Sequence, residues 1–89
     1  MSDFNEIESL FDKLLFSASH VLSKSEVAEI NSFIDVGEYG IALETAVDIF
    51  VEEGKIAPDE VVSLVKQLAI AMSIEPTSMI DKLVDKGGR

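Results

Sequence analysis

GEYGIALETAVDIFVEEG, residues 37–54, carries in eighteen positions the end of one helix and the whole of the next. Ala42, Leu43, Ala46, Val47, Ile49 and Phe50 recur at spacings of three and four, and Glu44, Asp48 and Glu52 fall on the opposite side. At about 100° per residue this is a helix with an apolar face and an acidic ridge. Gly37 and Gly54 stand where a left-handed residue just beyond a helix ends it. No stretch of the chain alternates with the period of two that a strand needs.

The flanking sequence has the same character. Phe4, Ile7, Leu10, Phe11, Leu14, Leu15 and Ala18 follow helical spacing behind Asp3, which stands where an N-cap belongs. Ser23 with Glu26 forms a capping box, and Leu22 with Val27 a hydrophobic staple, ahead of a helix that turns Val27, Ile30, Phe33 and Ile34 inward. Ile56-Ala57-Pro58 and Ile74-Glu75-Pro76 each put proline at a first helical position behind an apolar residue, with Val61 and Met79 as staple partners. Val61, Leu64, Val65, Leu68, Ala69 and Met72 form the inner face of a fourth helix, and Met79, Ile80, Leu83 and Val84 that of a fifth. The spacing predicts helices over about residues 3–19, 24–36, 39–53, 58–73 and 76–86. Short connections pack them as one all-α bundle, a single domain over residues 1–89.

Composition limits what such a domain does. A chain of 89 residues buries only roughly 60 to 65% of its unfolded surface, which leaves little room for a deep cleft between lobes. Its 47% hydrophobic content supports a core, and the absence of cysteine removes disulfides and thiolate chemistry and suits a reducing cytoplasm. Asp3, Glu6, Glu8 and Asp12 are the opposite of a basic signal-peptide start, and Lys66 interrupts the longest apolar stretch, so no membrane association is expected. The net charge of −10 disfavours nucleic acid and anionic lipid and points to a basic partner. From Glu26 to Glu60 there are ten acidic residues against one base, Lys55, so the middle of the chain carries the field.

Catalytic and cofactor signals are missing. His20, the one histidine, is an ordinary surface or capping residue near the end of the first helix, with no nucleophile motif around it. No calcium loop, zinc spacing or glycine-rich phosphate loop occurs, and Glu8-Ser9-Leu10 lies inside a helix rather than opening one as the carrier-protein Asp-Ser-Leu motif does. The chain is therefore read as a binding protein rather than an enzyme, without metal or cofactor.

The ridge of Glu44, Asp48 and Glu52 is the sharpest surface feature. Like charges four apart cost a helix about 0.2 to 0.5 kcal/mol per pair, and Glu52 lies near the negative end of the helix dipole. Either the ridge is a solvated face or a cationic partner sits on it. Phe16, Ile41 and Ile70 break the apolar phase of their helices, as residues packed under a neighbouring helix or as anchors of an interface. Ile41, inside the acidic arc, is the favoured anchor.

The segment Asp35-Val36-Gly37-Glu38-Tyr39-Gly40-Ile41-Ala42-Leu43-Glu44 resembles the Gly-Glu-Tyr-x-x-Ala-hydrophobic-Glu signature of Maf-type small immunity proteins of polymorphic toxin and contact-dependent growth inhibition systems. The likeness extends loosely over residues 23 to 72. It implies a cytoplasmic antidote that binds one cognate basic toxin domain, a nuclease, with RNase ahead of DNase. On that resemblance Glu44, Asp48 and Glu52 supply charge, Tyr39 and Ile41 contact area, and Asp35 and Glu38 flank them. A helical adaptor or oligomerisation module, joined through Phe16 or Ile70, is the alternative.

Overall fold

Helix α1 (Phe4–Ser17) buries Ile7, Leu10, Phe11 and Leu14, with Ala18 completing the stripe just past its end. The computed structural model describes residues 4–87, with side chains through Val84, so the Asp3 cap lies outside the described residues. Phe4 and Leu15 are on the rim of that stripe, about 60 to 80° from its centre. Leu15 is half-buried, whereas Phe4, expected inside, is 69% exposed.

The start of α2 (Lys24–Asp35) is built as the sequence predicts. The Glu26 amide donates to Ser23 Oγ at 3.1 Å, and the Ser23 amide donates to Glu26 Oε1 at 2.8 Å. Two otherwise orphaned N–H groups are thereby satisfied. Leu22 is buried and Val27 packs against the core, consistent with the staple. Only Ile30 of this helix is fully buried; Val27, Phe33 and Ile34 are half-buried because α2 packs chiefly against one helix, α3.

Three helices end by one device. After α2, the Glu38 amide bonds Phe33 O and the Gly37 amide bonds Ile34 O, with Gly37 at φ 78°. After α3 (Tyr39–Glu52), Lys55 N bonds Phe50 O and Gly54 N bonds Val51 O, with Gly54 at φ 65°. These are Schellman endings, which need a left-handed residue. After α4 (Asp59–Ala71) the same pair runs from Ile74 to Ala69 O and from Ser73 to Ile70 O, but the left-handed residue is Ser73, at φ 60°. Sequence reading carries α4 through residue 73 because no glycine marks its end.

The prolines sit one position outside their predicted places. Pro58, at ψ 154°, is the N-cap of α4, and its carbonyl accepts the first helical bond from Val62. Pro76 plays the same part for Ile80 before α5 (Thr77–Gly87), where Glu75 also accepts from the Thr77 amide at 2.7 Å. Pro58 is extended and so cannot itself be a helical residue, and both helices start one residue later than their prolines. Ile56 is 66% exposed and forms no staple, and Val61 is buried in the core without it; Ile74 and Met79 both pack against the core.

α1 packs on α4, α2 on α3, and α5 on both α3 and α4. The shared core centres on Phe11, Leu14, Ile30, Leu43, Phe50, Val61, Val65, Leu68 and Leu83, and among the described residues no polar side chain is buried with them. Val84, expected inside, is 52% exposed, since Leu83 takes the centre of the short α5 stripe and Val84 lies about 100° away. Among the described residues there is no strand, and no helix is long and apolar enough to cross a membrane.

Candidate functional site

α3 is held from two sides, by α2 and by α5, and its apolar face presses Ala42, Leu43, Ala46, Val47 and Phe50 into the core. The remaining face points outward. Ile41, Glu44, Asp48 and Glu52 lie on it within about 80° of arc, all exposed. Ile41, out of phase with the core, is not covered by a neighbouring helix and keeps 44% of its surface in water. It forms an apolar knob at the N-terminal end of the acidic crest.

Shallow grooves flank this crest. Toward α2, a groove of about 350 Å³ is lined by Glu26, Glu29, Thr45, Asp48, Ile49, Glu52 and Glu53. Toward α5, one of about 210 Å³ is lined by Glu44, Val47, Asp48, Ser78, Met79 and Lys82. Asp48 borders both. Glu26, Glu29 and Glu53 therefore widen the acidic surface beyond the expected ridge, although their signal was in the sequence as part of the acid-rich middle segment. Lys82 was not foreseeable: no helical spacing links it to Glu44 and Asp48, and the packing of α5 on α3 brings it beside them.

One base is tied down at the edge of this surface. Lys55 Nζ donates to the Val21 carbonyl at 3.0 Å and lies 3.4 Å from Glu26 Oε1, joining the end of α3 to the start of α2. Glu26 is held below the ordinary carboxylate range, first by the Ser23 backbone amide and then by the charge of Lys55. Glu26 is thus fixed by its capping role, and Glu29, Asp48, Glu52 and Glu53 are the acids of this groove outside that cap.

The seven expected contact residues fall into two groups. Glu44, Asp48, Glu52 and Ile41 share the outward face of α3. Tyr39 does not join them. It points about 160° away from Ile41, toward α1, where its hydroxyl donates to Glu8 Oε2 at 2.5 Å and its ring stacks 6.3 Å from that of Phe11. The bond to Glu8 raises the Tyr39 phenol above its usual range. Asp35, the last residue of α2, and Glu38, before α3, are exposed in the turn beside Tyr39, and Glu38 makes no capping bond with its side chain. Phe16 on α1, at 81%, and Ile70 on α4, at 59%, are also exposed, and Ile70 lines a groove with Glu6 and Leu10 of α1.

Among the described residues no three acidic or histidine side chains are placed to hold a metal ion. Comparison with protein-family models, with curated proteins and with solved structures finds no match for this chain.

Proposed function

We propose that this chain is an immunity protein: a non-catalytic inhibitor that binds a cognate basic toxin domain, a nuclease with RNase ahead of DNase, and does so in the cytoplasm. The observation that carries the reading is the outward face of α3, where Ile41 stands at the end of an exposed row of Glu44, Asp48 and Glu52 with no helix laid across it. A nuclease that holds a phosphate backbone needs a basic cleft, and an acidic crest of this kind is complementary to it. The likeness of residues 35–44 to the Maf-type signature points the same way. Summed over a net charge of −10, the field speeds encounter with a cationic domain, while an apolar knob inside a charged rim gives the contact its desolvated centre.

Co-expression with the product of the adjacent gene, followed by pull-down and a nuclease assay, tests the proposal. A stable complex that abolishes nuclease activity is the expected result, and a neighbouring product that is neither basic nor retained would sink it. The exposure of Phe16 and Ile70 favours one other reading, a helical adaptor that assembles through α1 or α4. Self-association lost on Phe16→Ser or Ile70→Ser, with no captured toxin, would select it.

A further inference from the structure

Phe4 belongs neither to the core nor to the α3 crest. The residue is 69% exposed, yet its ring sits 5.6 Å from that of Tyr39, tilted by 36°. Tyr39 is backed in turn by Phe11, which is fully buried, so the outer ring rests on a partner anchored to the core. Glu8, one helical turn after Phe4 on the same side of α1, receives the Tyr39 hydroxyl, which holds its carboxylate at the edge of the aromatic pair. Exposed Asp35, Val36 and Glu38 precede Tyr39 in the adjoining turn, and neither residues 4–8 nor residues 35–39 contain a base.

We infer that this corner takes an arginine side chain from a basic protein partner, and the inference rests on the proposal that the partner is basic. An exposed ring face attracts a cation, and a carboxylate beside it accepts the guanidinium N–H groups. The planar, weakly hydrated guanidinium can do both at once, whereas the strongly hydrated lysine ammonium acts as a point charge. The local acidity supplies the matching sign. Because Tyr39 turns away from the α3 crest, this is a second contact region on the chain, distinct from Glu44, Asp48 and Glu52.

The test titrates the full chain at low salt with a peptide of alternating Arg and Gly, and separately with its Lys–Gly counterpart, reading affinity and amide shifts by NMR. The Arg peptide should bind about two- to fivefold more tightly, with shifts centred on Phe4, Glu8 and Tyr39. Phe4→Ala and Phe4→Leu should both erase that preference, the second because apolar bulk remains while the ring is lost. Replacing Glu44, Asp48 and Glu52 by amides should weaken both peptides and leave the preference in place. Equal binding of the two peptides, a preference that survives both Phe4 variants, or shifts that arise with protein concentration alone would overturn the arginine site while sparing the basic-partner proposal. Binding of neither peptide would overturn both.

Discussion

The Tyr39 hydroxyl on α3 donates to Glu8 on α1, a bond between residues 31 positions apart in the chain. It ties together two helices whose main packing partners lie elsewhere, α1 against α4 and α3 against α2 and α5. Because the protonated phenol is the donor, the fold favours that form and raises its pKa. A raised folded-state pKa contributes stability that is fully present below the ordinary tyrosine range and is lost as pH rises through the folded value. Thermal melts from about pH 8 to about pH 11 should therefore show a steeper alkaline decline in the wild type than in Tyr39→Phe. Parallel curves would show that the bond carries no weight.

At the other end of the pH scale Glu26 and Glu75 are both held below the usual carboxylate range, Glu26 chiefly by the Ser23 amide and Glu75 by Thr77. A depressed folded pKa gives stability that is present above the unfolded value and lost as pH falls through the folded one. Glu26→Gln should flatten the acid limb of the stability profile below the ordinary glutamate range. Ser23→Ala should cost about 1 kcal/mol by removing the N-cap acceptor, measurable by urea unfolding at neutral pH.

Ser73 does in a strained backbone what Gly37 and Gly54 do freely. A left-handed conformation costs a non-glycine residue roughly 1 to 2 kcal/mol, part of which returns as the lower entropy of the unfolded chain. Ser73→Gly should raise stability by about 0.5 to 1 kcal/mol, and Gly37→Ala or Gly54→Ala should lower it by about 1 kcal/mol. The space around Gly37 and Gly54 is open, so backbone strain rather than a clash sets that loss. A destabilised Ser73→Gly would contradict the account of how α4 ends.

Three phenylalanines should separate by burial. Phe50, at 2% exposure, should lose about 3 to 5 kcal/mol on change to alanine. Half-buried Phe33 should lose about half as much, and exposed Phe4 less again. Equal losses from chemical denaturation would mean that the inner faces of α2 and α3 are misassigned.

For the proposed complex, stability and affinity should move in opposite directions. Glu44→Gln, Asp48→Asn and Glu52→Gln together should leave the protein folded and slightly more stable, since two repulsive pairs worth about 0.2 to 0.5 kcal/mol each are relieved. Toxin binding should weaken, in association rate if the crest only steers and in dissociation rate if one of the acids meets a buried Arg or Lys, where truncation costs about 2 to 5 kcal/mol. At 1 M salt, where the Debye length is roughly 3 Å, the gap between variant and wild type should narrow. Surface plasmon resonance at two salt concentrations reads all of this, and unchanged affinity at low salt would make the crest a solvated face.

Local rules were enough to read five helices, their order, the Ser23–Glu26 box and the two glycine stops, because each depends on residues within one or two turns of one another. They also gave the outward direction of Glu44, Asp48 and Glu52, since helical phase alone fixes which side is apolar. They could not say whether Phe16, Ile41 and Ile70 lie under a neighbour or in water; the packing of whole helices leaves all three exposed. Nor could they separate Tyr39 from the crest, bring Lys82 to Asp48, or set Phe4 on Tyr39. Those relationships join residues far apart in sequence, and their geometry comes from how α1, α3 and α5 bury their apolar stripes against one another, a condition that no single segment contains.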